Sequence, residues 1–392
     1  MPQDARLPAP FAEVLHVDLT PGREPLPYRP ANTRALMVFW DGDRPVGQRQ
    51  VLPSEDPTVA VRDVGRALTT RDHPAASGPS PATVSVVICT RDRPEELARC
   101  LDSLPHQTRP PDEVIVVDNA SRGDETRAVA MRAGVQYVRE DRPGLDIARN
   151  TGLLAARSEV VAYTDDDTEL HPRWLEQLVT AFDRDDVLAV TGLVLPARLD
   201  TEAQWLFETR WGFGRGFSRI DFGPEFYRRT RARGTPSWEV GAGANMAFRR
   251  SVIDTVGLFD ERLDVGAAGC SGDSEYWYRI LAAGRTCRYE PSAVVYHHHR
   301  RELDGLRSQI FHYMRGHVAA LLVQYERTGD LGNLVRLFLV LPGSFARKLM
   351  GRALGRRATG PTLDREILGA VAGVGYYLWA RYVRRLRSGV PT

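Results

Sequence analysis

Three consecutive carboxylates, Asp165, Asp166 and Asp167, directly follow the strand-like residues 159–164 (EVVAYT). Adjacent carboxylates repel one another, and a partly buried cluster is costly unless a cation neutralises its charge. Carboxylate oxygens suit Mg²⁺ or Mn²⁺, and both ions commonly bridge protein carboxylates to a diphosphate. The run therefore predicts a divalent-cation site. A solvated acidic turn before a helix starting near Pro172 is the alternative.

The segments around this run alternate between apolar strands and helices. Strands are predicted at 84–89, 113–117, 135–139 and 159–164, and helices at 94–104, 124–133 and 145–156. This alternation predicts an α/β domain with a doubly wound sheet. Because ligands of such sheets bind beyond the carboxyl ends of the strands, we expect Asp118 and the three-aspartate run at one binding edge.

Residues 1–73 are predicted to form a small β-rich N-terminal appendage, with strands at 13–19 and 34–40. The Pro/Ser/Ala-rich residues 74–83 are predicted to be a linker. These two segments precede the α/β domain, which we place at residues 84–300.

The pattern becomes less regular after residue 195. Segment 202–240 is rich in Trp, Phe, Tyr and Arg, and neither a clean helix nor a clean strand is predicted there. A helix is predicted near 274–283, and a strand at 293–296 leads into three histidines, 297–299. Residues 301–392 are predicted to form a helical, basic C-terminal region.

The charge of the chain is unevenly distributed. The net charge is +2, but residues 301–392 carry +9, which leaves −7 for the first 300 residues. A basic tail predicts an anionic partner such as a membrane surface; nucleic acid is not expected, because no nucleic-acid-binding module accompanies the tail. The uncharged residues 367–380, followed by RYVRRLR, are typical of an interfacial membrane helix or, alternatively, of a core or dimer helix.

The cysteines and the N-terminal residues predict a cytoplasmic protein. No C-x-x-C pair occurs among the four cysteines, Cys89, Cys100, Cys270 and Cys287. They fit buried free thiols in a reducing compartment. The stretch MPQDARLPAPF lacks the apolar core of a secretory signal, and no apolar stretch reaches the ~18 residues of a membrane span. The basic tail adds the expectation of peripheral attachment to the inner face of the cell membrane.

Six stretches, in one order along residues 84–300, resemble the family 2 glycosyltransferases. They are SVVICTRDRPEELARCLDSL (85–104), DEVIVVDNAS (112–121), RPGLDIARNTGL (142–153), YTDDDTELHPRWLEQL (163–178), GAGANMAFRRSVIDTVGLFDERL (241–263) and SGDSEYWYRILAAG (271–284). The resemblance implies a GT-A-type fold, in which helices flank a doubly wound mixed sheet. It also implies an inverting enzyme that takes a sugar from a nucleotide-diphospho-sugar.

Matched to the family motifs, seven residues are expected to bind the nucleotide-sugar: Thr90, Arg93, Asp118, Arg149, Asn150, Asp165 and Asp166. Asp118 resembles the carboxylate that contacts the base. Asp165 resembles the first residue of the D-x-D motif. Asp167 resembles the last residue of that motif, which holds Mg²⁺ or Mn²⁺. Asp146 departs from the family, which more often has a small or hydroxyl residue there.

Asp273 matches the acidic residue that such enzymes use as the general base. Many members have Glu where this chain has Gly272, and Glu275 is a weaker candidate; for both acids the alternative is stabilisation of a helix N-terminus. His297 or His299 resembles a further metal ligand, and the two share a face of an alternating strand. Histidines bonded to backbone are the alternative.

The small residues of GAGANMAF (241–248) suit close approach of the backbone to a ligand. In the family this region lies under the acceptor and the donor sugar, which implicates Gly243 and Asn245. Trp238, in the aromatic segment before it, could stack on a sugar or pack in the core.

Two other enzyme classes and one non-enzymatic role are alternatives to the transferase. A sugar-1-phosphate nucleotidyltransferase or a dinucleotide-dependent dehydrogenase needs a Gly-rich loop after the first strand, whereas CTRDRPEEL has no glycine. A catalytically silent carbohydrate-binding or membrane-assembly protein is the non-enzymatic alternative, and Asp165, Asp167 and Asp273 argue against it. The donor is expected to be UDP-, GDP- or dTDP-linked, and the acceptor a sugar, lipid-linked or other hydroxyl.

Overall fold

A computed structural model describes residues 11–20, 34–68, 80–354 and 362–388. The N-terminal residues 1–10 and most of the predicted linker 74–83 lie outside this range. The N-terminal appendage contains a three-stranded sheet and one helix: β1 (Ala12–Asp18), β2 (Arg34–Asp41), β3 (Arg44–Val51) and α1 (Pro57–Leu68). Strand β2 lies in the middle, parallel to β1 and antiparallel to β3.

The appendage packs against the main domain through the end of β2. The Trp40 ring stacks on His171, with the two ring centroids 5.3 Å apart, and the Trp40 indole N–H donates to His16 Nδ1 at 2.9 Å. Ala12 forms an antiparallel bridge to Leu199 of the main domain. The appendage therefore shares buried surface with the larger sheet.

The first half of the main domain alternates strand and helix, as the sequence predicts. Its elements are β4 (Val84–Thr90), α2 (Pro94–Asp102), β5 (Glu113–Asn119), α3 (Glu125–Arg132), β6 (Gln136–Glu140), α4 (Leu145–Ala155) and β7 (Val160–Asp165). All seven residues of β4 are buried, as expected for a strand with both sheet faces covered. The four strands are parallel.

The second half is less regular and contributes antiparallel pairing. Its elements are β8 (Thr168–Leu170), α5 (Trp174–Thr180), β9 (Val187–Pro196), α6 (Glu202–Trp211), β10 (Ile220–Phe222), α7 (Pro224–Thr230), β11 (Asn245–Arg249), α8 (Val252–Val256), α9 (Gly272–Ala282) and β12 (Thr286–His297). Strand β11 pairs antiparallel with both β7 and β9. The strand order is β10-β12-β9-β11-β7-β4-β5-β6, with β8 on β12. The predicted fold class, a mixed sheet flanked by helices, is confirmed.

The expectation that 202–240 contains neither a clean helix nor a clean strand is wrong, since α6, β10 and α7 lie there. Helix α6 begins with a capping box, in which the Thr201 hydroxyl accepts from the Gln204 N–H and the Gln204 side chain accepts from the Thr201 N–H. Helix α7 begins with Pro224, whose fixed φ suits a first turn. A capping box therefore marks the start of α6, and a proline marks the start of α7.

The C-terminal region is helical, as predicted, and consists of α10 (Leu303–Thr328), α11 (Gly332–Val335), α12 (Leu341–Ala353) and α13 (Leu363–Ser388). Residues 336–340 form a wider π-type turn between α11 and α12. Helix α13 packs on α10, and its Tyr377 hydroxyl donates to Glu326 Oε2 at 2.8 Å. Among the described helices, none combines the length and apolar character that crossing a membrane requires.

Candidate active site

The carboxyl ends of β4 and β7 open into a cavity of about 1180 Å³. The predicted site residues that line it are Thr90, Arg93, Arg149, Asp165, Asp166, Asp167, Trp238, Gly243, Asp273 and His297. Helices α10 and α12 form a further wall, with residues such as Tyr313 and Phe345. The sequence did not predict this wall, because α10 and α12 lie more than 100 residues after β4 and β7 in the chain and meet them only through tertiary packing.

Asp165, Asp167 and His297 offer ligand atoms that all lie within 4.8 Å of one another. Strand β8 brings them together, because it follows the aspartates directly and pairs antiparallel with the end of β12, where His297 opposes Thr168. His297 Nε2 is 3.3 Å from Asp167 Oδ1, an oxygen that is buried and has no hydrogen-bond partner. Two carboxylates and one imidazole form a donor set that fits a divalent transition metal such as Mn²⁺.

Asp166 faces away from this triad and toward the first strand end. Its carboxylate accepts from the Thr90 hydroxyl at 2.8 Å and from Arg93 Nη1 at 2.9 Å, and Arg93 also donates to Asp167 at 3.0 Å. Burial, and then repulsion by Asp167, raise the pKa of Asp166 to about 7 and that of Asp165 to about 6. The three aspartates thus carry more negative charge than the Arg93 guanidinium, which binds two of them, can balance.

Asp273 lies in the first turn of α9 and lines the same cavity. Its Oδ2 accepts the Gly243 N–H at 2.8 Å, and its Oδ1 accepts the Ser274 N–H at 2.6 Å. Burial and the neighbouring Asp264 raise the pKa of Asp273, while Arg149 opposes the shift. A raised pKa suits a carboxylate that has to accept a proton.

Gly243 lets Arg149 and Asp273 approach each other across the backbone. A Cβ at this position would lie 2.7 Å from Arg149 Nη2 and 3.0 Å from Asp273 Oδ2. Any side chain would therefore displace either the guanidinium or the carboxylate. This close approach explains the glycine in GAGANMAF more specifically than the sequence could.

Arg149 is held by two buried carboxylates. Its Nη1 donates to Asp146 Oδ1 at 3.0 Å and to Asp264 Oδ2 at 2.6 Å. Asp146 therefore pairs with an arginine. Sequence reasoning missed Asp264, which has a left-handed φ of 63° in a glycine-containing loop. Nothing in the composition of the loop indicates an arginine partner 115 residues away.

Residues 85–257 match the profile described as glycosyl transferase family 2. They include the three-aspartate run, Arg149 and Gly243. The segment 85–257 belongs to glycosyl transferase family 2. The predicted resemblance is thereby confirmed for this segment.

Relatives of this family 2 segment match a longer part of the chain than the segment itself. A pre-mycofactocin glycosyltransferase of Mycobacterium tuberculosis is 29% identical over 293 residues, which are 72% of this chain and 56% of the relative. Glycosyltransferase AglE of Haloferax volcanii is 25% identical over 58% of this chain and 70% of its own length. This chain thus spans about half the length of the mycobacterial relative. The mannosyltransferase PcManGT from Pyrobaculum calidifontis, solved with GDP-Man and Mn²⁺, has a TM-score of 0.49 at 20% identity, and the similarity covers 83% of this chain and 95% of that one.

Two predicted nucleotide-binding residues of the family 2 segment lie outside the cavity lining. Asp118 is fully buried and accepts from the Tyr137 hydroxyl at 2.8 Å and from Arg139 Nη1 at 3.0 Å. Asn150 bonds both backbone groups of Phe259, at 2.8 and 3.1 Å. Asn119, which follows Asp118, lines the cavity in its place.

Asn245 and Glu275 are also turned inward. Asn245 accepts the Trp174 indole N–H at 2.8 Å and donates to two backbone carbonyls, so it ties β11 to its neighbours. Glu275 is fully buried and forms an ion pair with Arg279 at 2.8 Å. Of the two acids considered for the base, Asp273 is the one that lines the cavity.

Trp238 also lines the cavity and lies outside the strands of the family 2 segment. Its ring packs under the Arg336 guanidinium, 4.6 Å from the centroid, and edge-on to His317 at 4.9 Å. One ring face is thus already covered by the C-terminal helices. Trp238 therefore joins the cavity wall to α10 and to the turn before α12.

Proposed function

We propose that this chain transfers a sugar from a nucleotide-diphospho-sugar to an acceptor hydroxyl, with a divalent cation and with inversion at the anomeric carbon. The observation that carries the proposal is the arrangement of two groups around one cavity. The cation-type triad of Asp165, Asp167 and His297 lies at the strand ends, and Asp273 lines the same cavity from α9. Membership of family 2 supports the reaction class.

In this proposal Asp273 takes the proton of the acceptor hydroxyl as that oxygen attacks the anomeric carbon. The new C–O bond forms on the face opposite the leaving group, and the bond to the diphosphate breaks with its electron pair staying on the phosphate oxygen. The Gly243 and Ser274 N–H groups fix the two carboxylate oxygens, so the base keeps one orientation. A bound cation would neutralise charge that collects on the leaving diphosphate.

The proposed cation is Mn²⁺ in preference to Mg²⁺. Imidazole nitrogen is a common ligand of transition metals, whereas Mg²⁺ is bound mainly by oxygen atoms and water. The inclusion of His297 in the triad is what distinguishes the two ions. Thr90 and Arg93, on the side of Asp166, are proposed to line the nucleotide end of the donor site.

Calorimetry with UDP, GDP and dTDP, each with and without Mn²⁺, tests the donor site. We expect one nucleotide to bind at least about tenfold more tightly with Mn²⁺, because a cation held by Asp165, Asp167 and His297 would offset the negative charge of the diphosphate. Mg²⁺ at the same concentration serves as the comparison for the choice of metal. Absence of binding for all three nucleotides under every metal condition would overturn the transferase proposal.

We also propose that the C-terminal helices contact an anionic membrane surface. Residues 335–392 contain 11 Lys and Arg against two acids, Asp364 and Glu366, and both acids form ion pairs. The same helices expose large apolar side chains: Phe338, Leu339, Leu349, Met350, Leu354, Leu368, Val371, Leu378, Trp379 and Tyr382. Exposed apolar groups beside unbalanced cationic charge are typical of peripheral membrane contact.

Vesicle sedimentation tests this contact. The wild type is expected to sediment with vesicles of phosphatidylglycerol and phosphatidylcholine, and Trp379→Glu to bind at least about tenfold more weakly, because inserting a large apolar side chain contributes about 1.5–3 kcal/mol. Met131→Glu is the matched control, since Met131 on α3 is 63% exposed and Trp379 is 60% exposed. Equal binding of wild type and Trp379→Glu would contradict the membrane proposal.

A further inference from the structure

A continuous hydrogen-bonded chain runs from the proposed metal site into the protein interior. His297 Nε2 faces Asp167, and His297 Nδ1 lies 2.9 Å from Nδ1 of His299. The other nitrogen of His299, Nε2, lies 3.1 Å from Glu208 Oε2. The side chains of His299 and Glu208 are 2% and 6% exposed, so water does not replace either partner.

Helix α6 positions the inner half of this chain. Gln204 and Glu208 lie one turn apart on the same face of α6. Gln204 Nε2 donates to the backbone carbonyl of His299 at 3.0 Å, while Glu208 bonds the ring of the same histidine. The Phe207 ring packs 4.7 Å from the His299 ring. Backbone and ring of His299 are thus both fixed by one helix.

Metal binding by His297 would fix which nitrogen donates and which accepts in each hydrogen bond of this chain. A metal takes the lone pair of Nε2, so the imidazole proton must sit on Nδ1 and be donated to His299 Nδ1. His299 then carries its own proton on Nε2 and needs an acceptor there. The Glu208 carboxylate supplies the acceptor.

We infer that Glu208 is a positioning residue for the metal site, which acts through His299 to hold His297 in the tautomer that presents Nε2 to the cation. The inference rests on the proposed metal-dependent function and adds a residue that touches neither metal nor substrate. Glu208 lies in the segment that the sequence predicted to lack regular structure.

The test is the Mn²⁺ dissociation constant of Glu208→Gln, measured by electron paramagnetic resonance of free Mn²⁺ without nucleotide. Gln has nearly the same shape but can donate as well as accept, so it no longer enforces one proton direction. We expect about a tenfold or greater loss of Mn²⁺ affinity, as for other residues that orient a metal ligand. Glu169→Gln is the matched control, because Glu169 bonds His298, which is outside the ligand triad, at 2.6 Å.

The outcomes separate this inference from the proposed function. If the wild type binds no Mn²⁺, the metal site itself is refuted. If the wild type binds Mn²⁺ and Glu208→Gln binds it equally well, the role of Glu208 is refuted. Nitrogen-15 spectra of the histidines in the Cd²⁺-loaded wild type provide a test that needs no variant: we expect protons on His297 Nδ1 and His299 Nε2, and an unprotonated His299 Nε2 would overturn the inference.

Discussion

Asp273→Asn is expected to lower the turnover number by about 10²–10⁴-fold, the usual contribution of a positioned general base. An amide cannot accept the acceptor's proton, yet its oxygen can still receive the Gly243 N–H that Asp273 Oδ2 accepts at 2.8 Å. Nucleotide and Mn²⁺ affinities should therefore change little. Steady-state transfer kinetics and calorimetry on the same preparation check both parts of the expectation.

The control for this variant is Asp254→Asn, which removes an exposed acid on the neighbouring helix α8. It should leave turnover unchanged. In the wild type, kcat/KM should fall with decreasing pH at a higher pH than an ordinary aspartate would give, because burial and Asp264 raise the pKa of Asp273 and the base works only when ionised. Retention of wild-type turnover by Asp273→Asn would exclude Asp273 as the base.

Asp167→Asn is expected to abolish the Mn²⁺ enhancement of nucleotide binding and to lower kcat/KM by more than about 100-fold. The substitution removes a charged ligand from the triad, and loss of a direct ligand should cost more than the 10–100-fold typical of outer residues. Calorimetric titration of the nucleotide with and without Mn²⁺ measures the enhancement directly.

Asp166→Asn is the comparison, because Asp166 is next in sequence but bonds Thr90 and Arg93. Its Mn²⁺ affinity should stay within a few-fold of the wild type, whereas that of Asp167→Asn should not. Equal losses in the two variants would show that the cation is shared across the run, and the assignment to Asp165, Asp167 and His297 would have to be abandoned.

The residues whose position in the fold the sequence could predict are those carried by buried parallel strands. Strands β4 and β7 are continuous apolar runs, and the residues that follow them necessarily lie at one sheet edge. Thr90 and the three-aspartate run could be placed for that reason. Asp118 follows the same rule in position, but its orientation depends on Tyr137 and Arg139 of the next strand, which strand periodicity does not encode.

The remaining residues depend on contacts between distant segments. Asp146, Arg149 and Asp264 form one buried cluster, although Asp264 is more than 100 residues from the other two. Glu208 lies on a helix whose apolar residues do not form a single stripe, and the capping pair of Thr201 and Gln204 was its local signal. Pairings of this kind are decided by how loops and helices pack on the sheet.

The short connection between β12 and α10 joins two walls of the cavity. His297 ends β12, and α10 begins at Leu303, so residues 298–302 join a proposed metal ligand to the helix that walls the other side. This connection is tied to α6 at both ends, since the Thr201 hydroxyl donates to the Arg301 carbonyl at 2.8 Å and Glu208 bonds His299. We therefore expect a ligand that shifts α10 to alter metal affinity, in which case the metal alters that ligand's affinity by the same factor.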